Sequence, residues 1–201
     1  MTGIVTDNLG RSSGLVKAAA GGGVWTLIET ITASSDSTIE FDSGIDGTYP
    51  IYVIKFINIH PATDETHFEV NFRDGSTAYD ATKTTTNIQA YHNEDDSTGI
   101  LRYEVSEDLA QSTGVQQLAT YQGNDSDQAL CGYLTLFAPS DTTFIKHFQT
   151  RISTVQGSDR YKDVYSAGYC NVTAAIDGVQ FSMSSGNIDL GKFKLYGLSD
   201  S

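Results

Sequence analysis

Along most of the chain after residue 23, apolar and polar residues alternate with a period of two, and this is the strongest constraint on its fold. A period of two places successive side chains on opposite faces of an extended strand. Thr66-His67-Phe68-Glu69-Val70-Asn71-Phe72 alternates cleanly, with Phe68, Val70 and Phe72 on one face. Ile51–Ile59 carries apolar groups on both faces, which predicts a central strand covered on both sides. Shorter stretches of the same kind occur at 24–31, 38–41, 101–105, 129–137, 144–155, 161–175, 179–183 and 191–198. Turn sequences separate them: Asp42-Ser43-Gly44, Pro61-Ala62-Thr63-Asp64, Arg73-Asp74-Gly75-Ser76, Pro139-Ser140-Asp141 and Ser184-Ser185-Gly186-Asn187. The Thr-rich segment 79–91 leans to an extended chain, and 107–121 stays open between a weak helix and a strand. Roughly ten strands joined by short turns, with no helices alternating between them, exclude a βαβ architecture.

These features predict an all-β chain: a two-sheet β-sandwich over residues 24–201, preceded by a short N-terminal arm, 1–23. Periodicity alone leaves jelly-roll and immunoglobulin-like topologies both open. The antibody order of Cys, Trp, Cys does not occur, because Trp25 precedes Cys131 and Cys170. Trp25 is expected to anchor the core. The arm has little to bury, and Gly21-Gly22-Gly23 separates it from the first strand. Its apolar Leu9, Leu15 and Val16 and its basic Arg11 and Lys17 nevertheless suit a segment that docks on a neighbour.

Charge narrows the partners. Twelve basic residues face 25 acidic ones, a net charge of −13, and such a surface repels nucleic-acid phosphates and anionic lipid. Nucleic acid and membrane are therefore not expected as partners. No stretch approaches the ~18 apolar residues of a membrane span. The opening residues lack a basic segment followed by an apolar one, so synthesis in a cytoplasm is expected. Cys131 and Cys170 both lie in apolar runs and read as buried, unbridged thiols.

Catalytic motifs are missing from the text of the chain: no His-x-x-x-His, Cys-x-x-Cys, phosphate loop or Gly-x-Ser-x-Gly occurs. The four histidines, His60, His67, His92 and His147, fall in separate segments. Neither an enzyme nor a bound cofactor is expected. Asn124, Asp125 and Asp127 are weak calcium candidates, since clustered carboxylate and amide oxygens are what calcium takes. Tyr79, Tyr91, Tyr121, Tyr161 and Tyr165 lie near turns or in Ser/Thr-rich strands and are candidates for an aromatic contact surface.

Three segments carry a resemblance. Tyr52-Val53-Ile54-Lys55-Phe56-Ile57-Asn58-Ile59-His60-Pro61-Ala62-Thr63-Asp64, Cys131-Gly132-Tyr133-Leu134-Thr135-Leu136-Phe137-Ala138-Pro139 and the run from Gly178 to Leu198 resemble strand-and-turn segments of tailed-bacteriophage and prophage virion structural proteins. Ala138 departs from that pattern, in which Asn is commoner. Asp7-Asn8-Leu9-Gly10 also looks like the entry to some phage virion proteins. The resemblance implies a jelly-roll virion component, assembled in the host bacterial cytoplasm. It would be a capsid decoration protein or a head or tail appendage, held by its arm to other virion proteins. A homo-oligomer, by analogy a trimer, goes with that reading. The alternative is a receptor- or glycan-binding module of a tail fibre, with a host surface glycan as partner.

Overall fold

The computed structural model describes residues 23–199, which form twelve strands and one short 3-10 turn at Val105–Glu107, with no α-helix among them. The strands are β1 (Trp25–Asp36), β2 (Thr38–Phe41), β3 (Ile51–Pro61), β4 (Thr66–Arg73), β5 (Lys83–Asn93) and β6 (Gly99–Tyr103). They continue with β7 (Gln116–Gln122), β8 (Leu130–Phe137), β9 (Lys146–Gln156), β10 (Arg160–Cys170), β11 (Gly178–Met183) and β12 (Ile188–Leu198). The arm residues Leu9, Arg11, Leu15, Val16 and Lys17 lie outside the described residues.

Every strand pairing is antiparallel, and the strands fall into two facing rows. The larger row runs β1-β12-β3-β8-β9-β10-β5-β6, and the smaller runs β2-β11-β4-β7. One pair, Gln122 with Gln156, ties β7 to β9, so the sandwich is nearly closed along that side. The chain passes from one row to the other at most connections. The exceptions are the β5–β6, β8–β9 and β9–β10 connections, which stay within the larger row, and the strands they add widen that sheet beyond β8.

Alternation within the strands builds the core. Phe56 on β3 and Phe193 on β12 meet Phe68 on β4 and Phe181 on β11 across the sandwich. Ring centroids lie 5.3 Å apart for Phe56–Phe68 and 5.1 Å for Phe56–Phe181. Phe72 and Phe148 make a second cross-sheet pair at 4.8 Å. Such contacts each add about 0.5–1.5 kcal/mol beyond burial of the ring area.

Three expectations need correction. Trp25 does not anchor the core: it is 49% exposed. It sits on the outer face of edge strand β1, edge-on to Tyr196 at 6.0 Å, with the Lys55 ammonium 5.4 Å from its ring. Cys131 is exposed rather than buried, because it points outward from β8, where its Sγ lies 3.4 Å from Asn58 Oδ1. Cys170 is buried, and both thiols are free. On β3, Tyr52, Ile54 and Phe56 face the core, whereas the opposite face, expected to be covered too, carries exposed Lys55 and Ile57 beside buried Val53 among the described residues.

The interior changes character across the larger sheet. Under β3, β8 and β12 it is apolar. Under the widened part it is polar: Thr85, Asn87 and Gln89 of β5, Lys162 and Ser166 of β10, and Thr150, Thr154 and Gln156 of β9 are all buried. Strand β7 and the segment 104–116 supply the partners such groups require. Thr85 Oγ1 donates to Gln116 Oε1 at 2.6 Å, and Gln116 Nε2 donates to the Glu107 carbonyl at 2.9 Å. Asn87 Nδ2 reaches Ser166 Oγ at 3.0 Å. Segment 107–121, which the sequence leaves undecided, is thus a turn, a polar cover and strand β7.

Candidate functional site

A cleft of about 230 Å³ opens where this polar interior reaches the surface, beside the β7–β9 junction. Its walls come from four places: Glu65 before β4; Thr120 and Tyr121 of β7; Gln156, Ser158, Arg160 and Lys162 around the β9–β10 hairpin; and Tyr91, Arg102, Glu104, Ser106 and Glu107. Three of the twelve basic residues of an acidic chain meet here, so the gathering is not a sample of the general surface.

Lys162 and Glu107 form the floor, at 3% and 7% exposure. Lys162 Nζ donates to Thr120 Oγ1 at 2.8 Å, and Thr120 Oγ1 donates to Glu107 Oε1 at 2.8 Å. The ammonium and carboxylate themselves are 4.0 Å apart. Burial pushes the Glu107 carboxyl above its ordinary range, opposed by the Lys162 charge; burial likewise lowers the Lys162 ammonium, opposed by Glu107. Glu107 Oε2 is buried and has no hydrogen-bond partner among the described residues. A buried acceptor left without a donor costs about 1–3 kcal/mol, so this atom marks a place where something polar belongs.

The upper wall is already engaged. Glu104 accepts from Ser106 Oγ at 2.7 Å and from Gln89 Nε2 at 2.7 Å, and it pairs with Arg102. The Ser106 bond, the Arg102 charge and a further bond from the Ser106 backbone hold its carboxyl low against some desolvation. Tyr91 lies beneath two guanidinium groups, with Arg160 4.4 Å and Arg102 5.5 Å from its ring centre. Arg160 Nε donates to Asn93 Oδ1 at 2.7 Å, which fixes the guanidinium above the ring.

Tyr121 forms the rim, 54% exposed, with φ at 57°. It falls in a β-bulge: β7 advances from Ala119 to Gln122 while β4 advances only from Phe68 to Thr66. A bulky residue in this left-handed region is a steric outlier that neighbouring contacts must sustain. They do so here. The Tyr121 N–H donates to His67 Nδ1 at 3.1 Å, its ring meets the imidazole edge-on at 5.0 Å, and its carbonyl accepts from the Gly157 N–H at 3.2 Å. Burial, with the charge of Lys162, keeps the His67 pKa low, consistent with a neutral ring accepting that bond. Of the hydroxyls lining the cleft, those of Thr120 and Ser106 are bonded to carboxylates. The cleft is therefore equipped to hold a ligand by hydrogen bonds and ring contact.

The five candidate tyrosines do not form one surface. Tyr91 and Tyr121 belong to the cleft. Tyr161 and Tyr165 stand on the outer face of β10, both 44% exposed. Tyr79 is separate and half-buried, with the Arg73 guanidinium 5.7 Å from its ring. The outer face contains residues that sequence reading passed over. Strand register aligns Tyr103, Ile88, Tyr165, Arg151, Tyr133 and Lys55 in one row across six strands. The Arg151 guanidinium lies 5.0 Å from the Tyr165 ring and is held by Asp163 at 2.9 Å.

At the calcium candidates, the Asn124 amide nitrogen donates to the Ala62 carbonyl at 3.3 Å, and the Asp125 backbone N–H donates to Gln128 Oε1 at 3.2 Å. No group of three or more His, Cys, Asp or Glu side chains suited to a metal occurs among the described residues. The same loop borders an open groove of about 840 Å³ where β3 and β12 both bulge. Ile57 and Leu190 line it together with polar side chains such as Asn58, His60 and Lys192. No protein-family model matches the chain, nor does any curated protein or solved structure.

Proposed function

We propose that the sandwich is a jelly roll and that the chain is a structural subunit of a bacteriophage virion, a capsid decoration or a head or tail appendage. The observation that carries this reading is the strand order. Without the two inserted hairpins, β5–β6 and β9–β10, the rows reduce to β1-β12-β3-β8 facing β2-β11-β4-β7, visited alternately as the chain proceeds except at the central step from β4 to its neighbour β7. That order supports a double Greek-key jelly roll, an architecture of viral capsid proteins that lectin domains and cupins share. The resemblance of residues 50–72 and 129–198 to phage virion segments selects the viral member of that group.

The outer face of the large sheet supports an assembling role. Its exposed row of Tyr103, Ile88, Tyr165 and Tyr133, together with Leu101 at 76% exposure, supplies the aromatic and apolar area that protein contacts use. Quantitative mass spectrometry and antibody labelling of purified particles test the proposal. The chain should occur in a fixed multiple of the portal or vertex number, at one location. Its absence from particles would overturn the reading.

A further inference from the structure

The geometry points to a saccharide site: we infer that the cleft floored by Glu107 and Lys162 binds one neutral sugar ring, with Tyr121 at its rim. The site goes beyond the assembly role and stands independently of it.

Charge selects the ligand class. Six acidic or basic side chains line the cleft, Glu65, Glu104 and Glu107 against Arg102, Arg160 and Lys162. The signs balance, so neither an anion nor a cation gains from a net field. An anion would meet the buried Glu107 carboxylate, and a cation would meet Lys162 beside it. A polyol meets neither obstacle, because each hydroxyl both donates and accepts.

Free bonding capacity has the matching pattern. Glu107 Oε2 is a buried acceptor without a donor among the described residues. Arg160 uses Nε on Asn93, while its terminal nitrogens have no partner among the described residues. One hydroxyl donating to Glu107, after a small rotation that brings its buried Oε2 to the cleft surface, and a neighbouring hydroxyl accepting from Arg160 would satisfy both. Tyr121 supplies the third element, a half-exposed ring for the apolar face of a sugar. Its left-handed backbone, φ 57°, is an outlier of the kind held at ligand sites. Glu65, also on the rim, has φ 51°. The volume of about 230 Å³ falls below that of drug-sized pockets and suits a single ring, with the rest of a glycan leaving through the open side.

The test is a titration of the ¹⁵N-labelled full chain, followed by amide shifts. The probes are the methyl glycosides of glucose, galactose, mannose, rhamnose, N-acetylglucosamine and N-acetylgalactosamine, with glucuronate and glucosamine as charged controls. At least one neutral glycoside should shift the amides of Glu107, Thr120, Tyr121 and Arg160 in the millimolar range. Its charged counterpart should bind about tenfold more weakly, as expected for one unpaired buried charge contact. Tyr121→Gly removes the ring and accepts the same φ, so it should keep the spectrum of the fold while weakening binding about tenfold or more. Glu107→Gln should weaken binding too. If that variant does not fold, Tyr121→Gly decides alone, because Tyr121 is an exposed rim residue. The inference is overturned if no neutral glycoside moves these amides at about 100 mM, roughly the weakest affinity a specific single-ring contact set would give. It is also overturned if the charged controls bind equally, or if Tyr121→Gly binds like the parent. Sugar binding is read on the isolated chain and incorporation on particles, so either can fail without the other.

Discussion

Replacing Cys170 by alanine should change how stability responds to alkali, and the sign follows from two neighbours in the sheet. Cys170 on β10 pairs with Lys83 on β5 and with Lys146 on β9, and all three side chains are fully buried. Lys83 Nζ donates to the Gly114 carbonyl at 2.6 Å and the Ala81 carbonyl at 3.0 Å. Burial still lowers its pKa from 10.5 to about 8, against the attraction of Cys170 and Asp80. Burial raises the Cys170 thiol from 9.0 to about 12, against the charges of Lys83 and Lys146. Between pH 8 and 10.5 the unfolded chain keeps a proton that folded Lys83 has lost, so Lys83 makes stability rise with pH. Between pH 9 and 12 folded Cys170 keeps a proton that the unfolded chain has lost, so Cys170 makes stability fall. Each slope is about 1.4 kcal/mol per pH unit at most. The parent should therefore gain up to about 1.4 kcal/mol from pH 8 to 9 through Lys83, then flatten toward pH 10.5 as the Cys170 slope opposes it, with any remaining rise coming from Lys146, whose pKa burial also lowers. Cys170→Ala should keep rising, ending up to about 2 kcal/mol ahead at pH 10.5 when both curves are aligned at pH 8. The small cavity it creates shifts the whole curve down without altering its slope. Urea titrations by circular dichroism, under reductant and at half-unit pH steps, read this directly. Parallel curves for the two proteins would refute the reasoning.

Three further outcomes are expected. Phe56→Ala, at the centre of the aromatic cluster, should cost about 3–5 kcal/mol in urea unfolding, whereas Trp25→Ala on the outer edge should cost about 1 kcal/mol or less. Native protein treated with a thiol reagent should label Cys131 quickly and Cys170 only on unfolding, and mass mapping of the modified peptide distinguishes them. If the outer face assembles the protein, sedimentation should show a species above the 21.7 kDa chain, and Tyr133→Ser with Tyr165→Ser should shift it toward monomer with little change in melting; unchanged sedimentation would move the interface elsewhere.

Strands whose inner faces are apolar were legible in the sequence. β4, β8, β11 and β12 follow the alternation closely, and their bounds differ from expectation by a few residues at most. Strand β5 was legible only as a Thr-rich lean toward extended chain and β7 was left undecided, for a common physical reason. Hydrophobic periodicity reports burial only when the interior is apolar. β5 turns Thr85, Asn87 and Gln89 inward, and β7 turns Gln116, Thr120 and Gln122 inward beside Leu118, so their period of two carries almost no hydropathy signal. Trp25 misled for the converse reason, since a large ring on an edge strand can rest on neighbours without entering the core. The cleft was the least legible feature. Glu104, Glu107, Arg102 and Arg160 look like ordinary surface charges in the text of the chain. Lys162 alone left a trace, because the parity that points Val164 inward points Lys162 inward too. Tyr91 and Tyr121 were marked as contact residues, yet sequence offered no means of seeing that they face one cleft while Tyr161 and Tyr165 face another side.

The place of β12 bears on how the molecule can be made. It lies between β1 and β3 and pairs with both, Leu198 opposite Trp25 on one side and Ile51 on the other. A chain emerging from a ribosome thus holds β1 and β3 for most of its synthesis without the strand that belongs between them. Their facing edges are open to mispairing over that interval, and the aromatic cluster lacks Phe193. The small sheet escapes this delay only in part, since β11 must arrive before β2 and β4 are joined. Folding is thereby postponed until nearly the whole described segment has been translated, and a chain halted before β12 should be handled by the cell as an aggregation-prone fragment, not as a shortened but competent subunit.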